Sequence, residues 1–193
     1  VFHYQHAIGS DILNPVDMAE KARPFLEEHR DQPFFLYYAT IDPHRSGGYV
    51  ESDPLRPNRF HNREEAREGV DPVVFEPDDV EVPPYLPDNP AVRAELAQYY
   101  QSVARMDQGI GTLIDHLKDL GLWESSVVLY LTDNGIAFPG AKTNIYEAAL
   151  RLPLIVKTPG HAHSGTSSDA LVSWVDITPT LLDYAGILDE ASE

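Results

Sequence analysis

The chain has 193 residues, 42% of them hydrophobic, and its 14 basic and 31 acidic side chains give a net charge of −17. A chain of this length and composition can bury a sizeable core, so we expect one globular unit or most of one. The negative charge disfavours nucleic acid and anionic membranes as partners, because both are bound by basic surfaces. The lack of cysteine excludes disulfides, zinc-thiolate sites and a cysteine nucleophile among these residues.

The amino terminus, Val1-Phe-His-Tyr-Gln-His6, has no initiator methionine, no basic flank and no apolar signal core. We therefore expect the chain to be a piece of a longer protein. No run of about 18 apolar residues occurs, so no membrane-spanning segment is predicted.

The first predicted element is a helix from Pro15 to about Arg30. Asn14 is placed to cap it and Pro15 suits its first turn, whereas Pro24 is expected to kink it. The aromatic and aliphatic run that follows, residues 34–40, favours a buried strand.

Residues 49–88 are rich in proline and charge and show little periodicity. We interpret them as a long surface excursion with no core of its own, of the kind that shapes a pocket. A long amphipathic helix is predicted next, capped near Asn89, with Pro90 in its first turn and Gly121 at its end. Its apolar positions recur at helical spacing: Val92, Leu96, Tyr99, Val103, Met106, Ile110, Leu113, Ile114 and Leu117.

Three further apolar runs predict strands over residues 126–132, 152–158 and 171–175, and a short helix is predicted from about Pro179 to Ala185. Buried strands that alternate with helices are typical of an α/β fold. We therefore predict a mostly parallel sheet covered by helices on both faces.

Asp133 and Asn134 follow the strand 126–132 directly, and Gly135 relaxes the backbone behind them. Ligands of open α/β sheets collect at the carboxyl ends of strands. A carboxylate and an amide carbonyl are hard oxygen donors, which suit Ca²⁺ or Mg²⁺ better than a softer metal. The alternative is an Asx turn that only ends the strand.

His44 and Lys142 are the other candidate site residues. His44 follows a second predicted strand end, where an imidazole could protonate a leaving group, and Lys142 lies on a Gly/Pro-bent loop, where it could neutralise a sulfate or phosphate oxygen. Each could equally be an ordinary surface-loop residue. Asp107 interrupts the apolar face of the long helix, and we expect it to be a buried acid with a structural partner such as Arg105.

Four stretches of the chain resemble the sulfatases of the alkaline phosphatase superfamily. They are Pro33-Phe-Phe-Leu-Tyr-Tyr-Ala-Thr-Ile-Asp-Pro-His44, Tyr99-Tyr-Gln-Ser-Val-Ala-Arg-Met-Asp-Gln-Gly-Ile-Gly111, Leu131-Thr-Asp-Asn-Gly135 and Tyr146-Glu-Ala-Ala-Leu-Arg-Leu-Pro-Leu-Ile-Val156. Order and spacing agree over nearly the whole chain. Within the family, the residues of these stretches are similar to those of the sulfamidase branch. Position 142 differs, because that branch has arginine there, whereas Lys142 agrees with sulfatases generally.

The resemblance implies an alkaline-phosphatase-like α/β domain of which this chain is the second half. It implies that Asp133 and Asn134 are ligands of a catalytic Ca²⁺, that His44 contacts the sulfate or its leaving atom, and that Lys142 holds a sulfate oxygen. The family's nucleophile is a formylglycine made within a Cys-x-Pro-Ser-Arg motif, which does not occur in this chain. The chain alone is therefore expected to be inactive.

The implied substrate of the intact protein is a sulfated carbohydrate, cleaved as a sulfate ester or sulfamate. Because a strongly negative protein repels a long polyanion, we expect a chain end or a small oligosaccharide to bind. By resemblance the compartment is secreted, periplasmic or lysosomal. Two alternatives stay open: a phosphodiesterase or phosphonate monoester hydrolase of the same superfamily, and a noncatalytic binding module with this fold.

Overall fold

A computed structural model describes residues 11–45, 59–62, 65–161 and 164–189. The amino-terminal hexapeptide and residues 49–58 and 63–64 of the predicted excursion lie outside these described residues. The elements in chain order are α1 (Pro15–His29), α2 (Pro90–Asp119), β1 (Val128–Leu131), α3 (Glu147–Leu150), β2 (Leu154–Lys157) and α4 (Ile177–Tyr184), with 3₁₀ turns at Pro77–Asp79, Pro159–His161 and Trp174–Asp176.

The two main helices begin where the sequence predicts. Asn14 Oδ1 accepts a hydrogen bond from the Asp17 amide at 3.2 Å, and Asn89 Oδ1 accepts one from the Val92 amide at 3.0 Å. Each cap satisfies an amide that has no partner within its helix. Helix α1 continues past Pro24 to His29, and Gly121, at a φ of 71°, follows the end of α2.

The chain divides into two units, each described by itself. The first contains α1, α2 and α3, and comprises the described residues up to Trp123 together with Thr132–Pro153. Helix α1 packs on α2, and a core lies between α2 and the loops before and after it: Phe60, Val80, Leu86, Leu96, Ala97 and Phe138. The described part of the excursion thus contributes three of the buried side chains.

The second unit contains the strands and α4. Strands β1 and β2 pair antiparallel, with Val128 opposite Lys157 and Leu131 opposite Leu154. The prediction of a mostly parallel sheet is wrong for this pair, and the described residues contain no parallel pair. Uninterrupted apolar runs suggested strands covered on both faces, but Ile155 and Val156 are 63% and 50% exposed.

Residues 34–40 and 171–175 do not pair as strands among the described residues. Their side chains nevertheless alternate between half-buried and exposed, with Phe35 and Tyr37 on the exposed side. The prediction of a buried strand over residues 34–40 is therefore wrong for the described residues, because a strand ladder also needs a neighbouring backbone and none pairs with this segment. Within the described part of the chain, no helix is both long and apolar enough to cross a membrane.

Candidate active site

Asp133 and Asn134 form a tight polar turn two residues after β1 ends. Asp133 is exposed, Asn134 is half-buried, and the Asn134 Nδ2 group donates a hydrogen bond to Asp133 Oδ1 at 2.6 Å. Gly135 behind them is buried. A Cβ atom there would overlap the Ala148 carbonyl oxygen and lie 3.1 Å from Ala149 Cα. Glycine therefore lets the turn rest directly against α3.

The donor set of this turn fits part of a Ca²⁺ site. The Asn134 amide nitrogen points to Asp133 Oδ1, so Asp133 Oδ2 and Asn134 Oδ1 are the oxygens left to bind a cation. Ca²⁺ takes about six to eight oxygen ligands. The described residues contain no group of three or more His, Cys, Asp or Glu side chains that could hold a metal. The turn therefore supplies a fraction of a coordination shell.

Lys142 lies at the end of a loop that folds back on itself. Its backbone amide donates to the Ile136 carbonyl at 3.0 Å, and the Phe138 amide donates to the same oxygen at 2.8 Å. The Phe138 ring is buried and stacks on Phe60 with ring centres 6.1 Å apart. The half-buried Lys142 is therefore carried by a loop that is anchored in the core.

His44 ends a turn that begins at Ile41. The His44 amide donates to the Ile41 carbonyl at 2.7 Å, and Thr40 Oγ1 donates to the Asp42 carbonyl at 2.7 Å. The His44 side chain is exposed, whereas the Asp42 side chain is fully buried. The turn thus presents an imidazole to the outside and inserts a carboxylate into the protein.

Arg105 of α2 meets that buried carboxylate. Its Nε donates to Asp42 Oδ2 at 2.6 Å and its Nη2 to Asp42 Oδ1 at 2.7 Å, so the pair is bidentate. The guanidinium also donates to Asn62 Oδ1 at 2.8 Å and to the Phe60 carbonyl at 2.9 Å. A buried ion pair needs such additional hydrogen bonds to offset its desolvation.

The sequence analysis misassigned the buried charge of this helix. Asp107, expected to be a buried acid, is exposed, and Arg105 occupies the buried position instead. Ser102, Arg105 and Gly109 are all buried and are three and four residues apart. Small residues at helical spacing on both sides of an arginine were the signal that another backbone approaches there.

His61 is a further residue that sequence reasoning missed. It lies between Phe60 and Asn62, both of which hold Arg105, and its carbonyl accepts a 2.6 Å hydrogen bond from Arg67. Partial burial lowers the pKa of the His61 imidazole below its ordinary 6.5. The Asp42 charge opposes this shift, while Arg105, Arg67 and His44 add to it. The folded protein therefore favours the neutral form of the His61 imidazole.

The four predicted site residues all belong to the first unit. Asp133 and Asn134 touch directly. The His44 and Lys142 loops connect through Phe60. The Phe60 ring stacks on Phe138 of the Lys142 loop. The Phe60 carbonyl accepts a hydrogen bond from Arg105, which binds Asp42 of the His44 loop. One aromatic residue of the excursion thus ties two candidate loops to the same core.

Comparison of the sequence with known proteins identifies its family. The sulfatase family profile matches residues 14–187. Human N-sulphoglucosamine sulphohydrolase is 41% identical over 169 residues, which is 86% of this chain and 34% of that protein. An ulvan-active sulfatase of Formosa agariphila is 28% identical, covering 89% of this chain and 32% of that protein. The chain thus spans about a third of the length of these relatives.

Solved structures show the same fold. A crystal structure of yidJ from Bacteroides fragilis aligns with 92% of this chain and 38% of its own, at a TM-score of 0.61 and 24% identity. A Bacteroides thetaiotaomicron structure, from work on glycosaminoglycan metabolism, aligns with 91% of this chain and 36% of its own, at a TM-score of 0.66 and 22% identity. With a family match over most of its length, the chain belongs to the sulfatase family.

Proposed function

We propose that the protein containing this chain is a Ca²⁺-dependent sulfatase that hydrolyses a sulfate ester or sulfamate on a sulfated sugar. The observation that carries the proposal is the family match over residues 14–187, which includes Asp133, Asn134, Lys142 and His44. The formylglycine nucleophile would lie outside this chain. Family members cleave sulfate esters and sulfamates by attack on sulfur, so each residue here is assigned a role toward a sulfuryl group.

Asp133 and Asn134 would hold the cation through their outward oxygens. Bound Ca²⁺ would withdraw charge from the sulfuryl oxygens and so favour attack on sulfur. The packing of Gly135 against α3 keeps the two ligands in one geometry, which limits reorganisation when the cation and substrate bind.

Lys142 and His44 would act on the substrate itself. A lysine ammonium is a point charge with three donors and can pair with a sulfate oxygen. His44 would hydrogen-bond to the leaving oxygen or nitrogen and donate a proton to it as the bond to sulfur breaks. Each stands on a turn closed by backbone hydrogen bonds, which suits residues that must keep a fixed position.

The names of the relatives suggest the sugar. The human relative acts, by its name, on N-sulphoglucosamine, and a Bacteroides thetaiotaomicron relative that is 33% identical over 97 residues is named N-acetylglucosamine-6-O-sulfatase. Both names contain a sulfated glucosamine derivative. We therefore propose a sulfated amino sugar as substrate class, with the N–S and O–S bonds as competing scissile bonds.

The test uses the full-length protein and measures sulfate release by ion chromatography from N-sulfoglucosamine and from N-acetylglucosamine 6-O-sulfate. Peptide mass spectrometry on the same preparation establishes whether formylglycine is present. Lys142→Ala is expected to lower kcat/KM by at least about a hundredfold, in the range seen when a charge-stabilising donor is lost. Asp133→Asn is expected to lower kcat/KM because it removes a carboxylate ligand of the cation. Lys118→Ala and Asp115→Asn are matched controls, because these exposed residues pair with each other on α2.

Two results would replace this proposal. Hydrolysis of a phosphate diester or phosphonate monoester in preference to both sulfated sugars would establish the phosphoryl-transfer alternative. Absence of hydrolysis, together with an unmodified peptide at the expected nucleophile, would establish a noncatalytic binding module.

A further inference from the structure

We propose that Arg105 is a positioning residue for His44, acting through the buried carboxylate of Asp42. This inference rests on the role proposed above for His44. It assigns a function to a side chain that lies inside the protein and has no direct access to substrate, since the Arg105 side chain is only 5% exposed.

The segment around His44 is tied to α2 on both sides. Two residues before it, the Asp42 carboxylate accepts two hydrogen bonds from the Arg105 guanidinium. One residue after it, Arg45 Nε donates to Glu95 Oε1 at 2.5 Å. Arg105 and Glu95 are both α2 residues, so a long rigid helix sets where the exposed imidazole can lie.

The Arg105 contact is the more restrictive of the two. A bidentate pair fixes the carboxylate in both distance and orientation, which a single-point contact does not. The Asp42 side chain is fully buried, whereas the Arg45 and Glu95 side chains remain 34% and 18% exposed. Because His44 is closed onto the Ile41 carbonyl in the same turn, a shift of Asp42 moves the backbone that carries the imidazole.

Arg105 also holds a second loop through Asn62 and the Phe60 carbonyl. All the guanidinium contacts therefore serve to join loops 40–45 and 60–62 to α2. Lysine keeps the charge but cannot reproduce a planar fork that reaches three residues. Arg105→Lys should thus relax the position of the turn while avoiding an unpaired buried carboxylate.

The experiment is a double-mutant cycle in the full-length protein, with Arg105→Lys, His44→Ala and the double variant compared for kcat and KM on the sulfated sugar that the wild type hydrolyses. Arg105→Lys is expected to lower kcat by on the order of tenfold to a hundredfold, the range for a misplaced catalytic group, with KM little changed. In the His44→Ala background the same substitution should change kcat by no more than about twofold.

Arg93→Lys is the matched control. Arg93 lies on the same helix and also forms a bidentate pair, donating to Asp88 at 2.5 and 2.8 Å. Arg93 also donates to the Pro77 and Val80 carbonyls, and none of these contacts holds the loop of a candidate site residue, so kcat should stay within about twofold of the wild type.

The cycle separates positioning from a general loss of folded protein. Loss of folded protein lowers kcat by the same factor with and without His44, and that additive result would overturn the inference. If His44→Ala leaves kcat unchanged, the proposed role of His44 fails and the inference about Arg105 fails with it. If His44→Ala lowers kcat and the Arg105 effect is additive, only the inference fails.

Asn62→Ser provides the test if Arg105→Lys does not fold. It removes the Asn62 amide, which accepts from Arg105 and donates to the Gln98 carbonyl and to Gln98 Oε1, while leaving the Arg105–Asp42 pair in place. We expect a smaller fall in kcat, at least threefold on the scale of one weakened hydrogen bond, that again disappears in the His44→Ala background. A fall of equal size in both backgrounds would contradict the inference.

Discussion

Two glycines of α2, two positions apart, should respond in opposite directions to the same substitution. Gly109 is buried where α2 meets the first residue of α1, and a Cβ atom there would lie 2.6 Å from the Pro15 carbonyl carbon and 2.8 Å from its oxygen. Gly111 is exposed, and a Cβ atom there would have no neighbour within 4 Å.

The magnitude follows from two opposing effects. Replacing glycine by alanine inside a helix stabilises it by about 1 kcal/mol at either position. At Gly109 the new methyl group meets backbone atoms, which cannot rotate away, and overpacking of this kind destabilises by roughly 1–3 kcal/mol. We therefore expect Gly111→Ala to stabilise by about 1 kcal/mol and Gly109→Ala to be destabilising by up to about 2 kcal/mol. Helix propensity cancels in the comparison, so the difference between the variants reports the contact with Pro15.

The assay is urea denaturation of the full-length protein, combined with hydrogen exchange of the α1 peptides. Gly109→Ala should lower the urea midpoint and speed exchange in α1, because Pro15 also accepts a hydrogen bond from the Tyr38 hydroxyl and both contacts would be displaced. Gly111→Ala should raise the midpoint and leave exchange in α1 unchanged. Shifts of the same sign and size for both variants would refute the close approach of the two helices.

Three further outcomes are expected. The methyl group of Gly135→Ala would overlap Ala148, so the Asp133–Asn134 turn must move. This variant should therefore bind Ca²⁺ more weakly in calorimetry, and an unchanged affinity would contradict the proposed ligand pair. The pKa of His61 is lowered in the folded protein, so folding favours its neutral form. Its contribution to stability is therefore complete above pH 6.5 and is lost as the pH falls through 6.5 toward the lower folded value. His61→Gln should flatten the fall in urea midpoint below pH 6.5, and an unaltered slope would show that His61 is not responsible for that fall. Given the net charge of −17, activity on a sulfated monosaccharide should depend weakly on salt concentration, and a preference for internal segments of long sulfated chains would contradict binding through a chain end.

The helix boundaries could be predicted because their causes are local. Asn14 and Asn89 are followed by proline, and a side chain that accepts from an amide three residues later needs no distant partner. Strand pairing was less predictable. Apolar residues mark a segment as extended, but the direction of pairing between β1 and β2 depends on how the intervening chain returns.

The candidate site shows the same division between local and distant information. Residue chemistry and strand ends identified Asp133, Asn134, His44 and Lys142 as candidates, because carboxylate, amide, imidazole and ammonium groups each suit only a few roles. Their proposed catalytic roles remain predictions.

Only the folded chain reveals what holds these residues in place. Asp42 and Arg105 are separated by 63 positions, and Phe60 joins Phe138 from a segment that reads as a surface loop. Such pairs form because burial removes water from both partners and leaves each as the other's main source of hydrogen bonds or apolar contact. Neither residue of such a pair identifies its partner from the sequence alone. The local sequence specifies only which groups would need a partner if buried, and burial is decided by the packed structure.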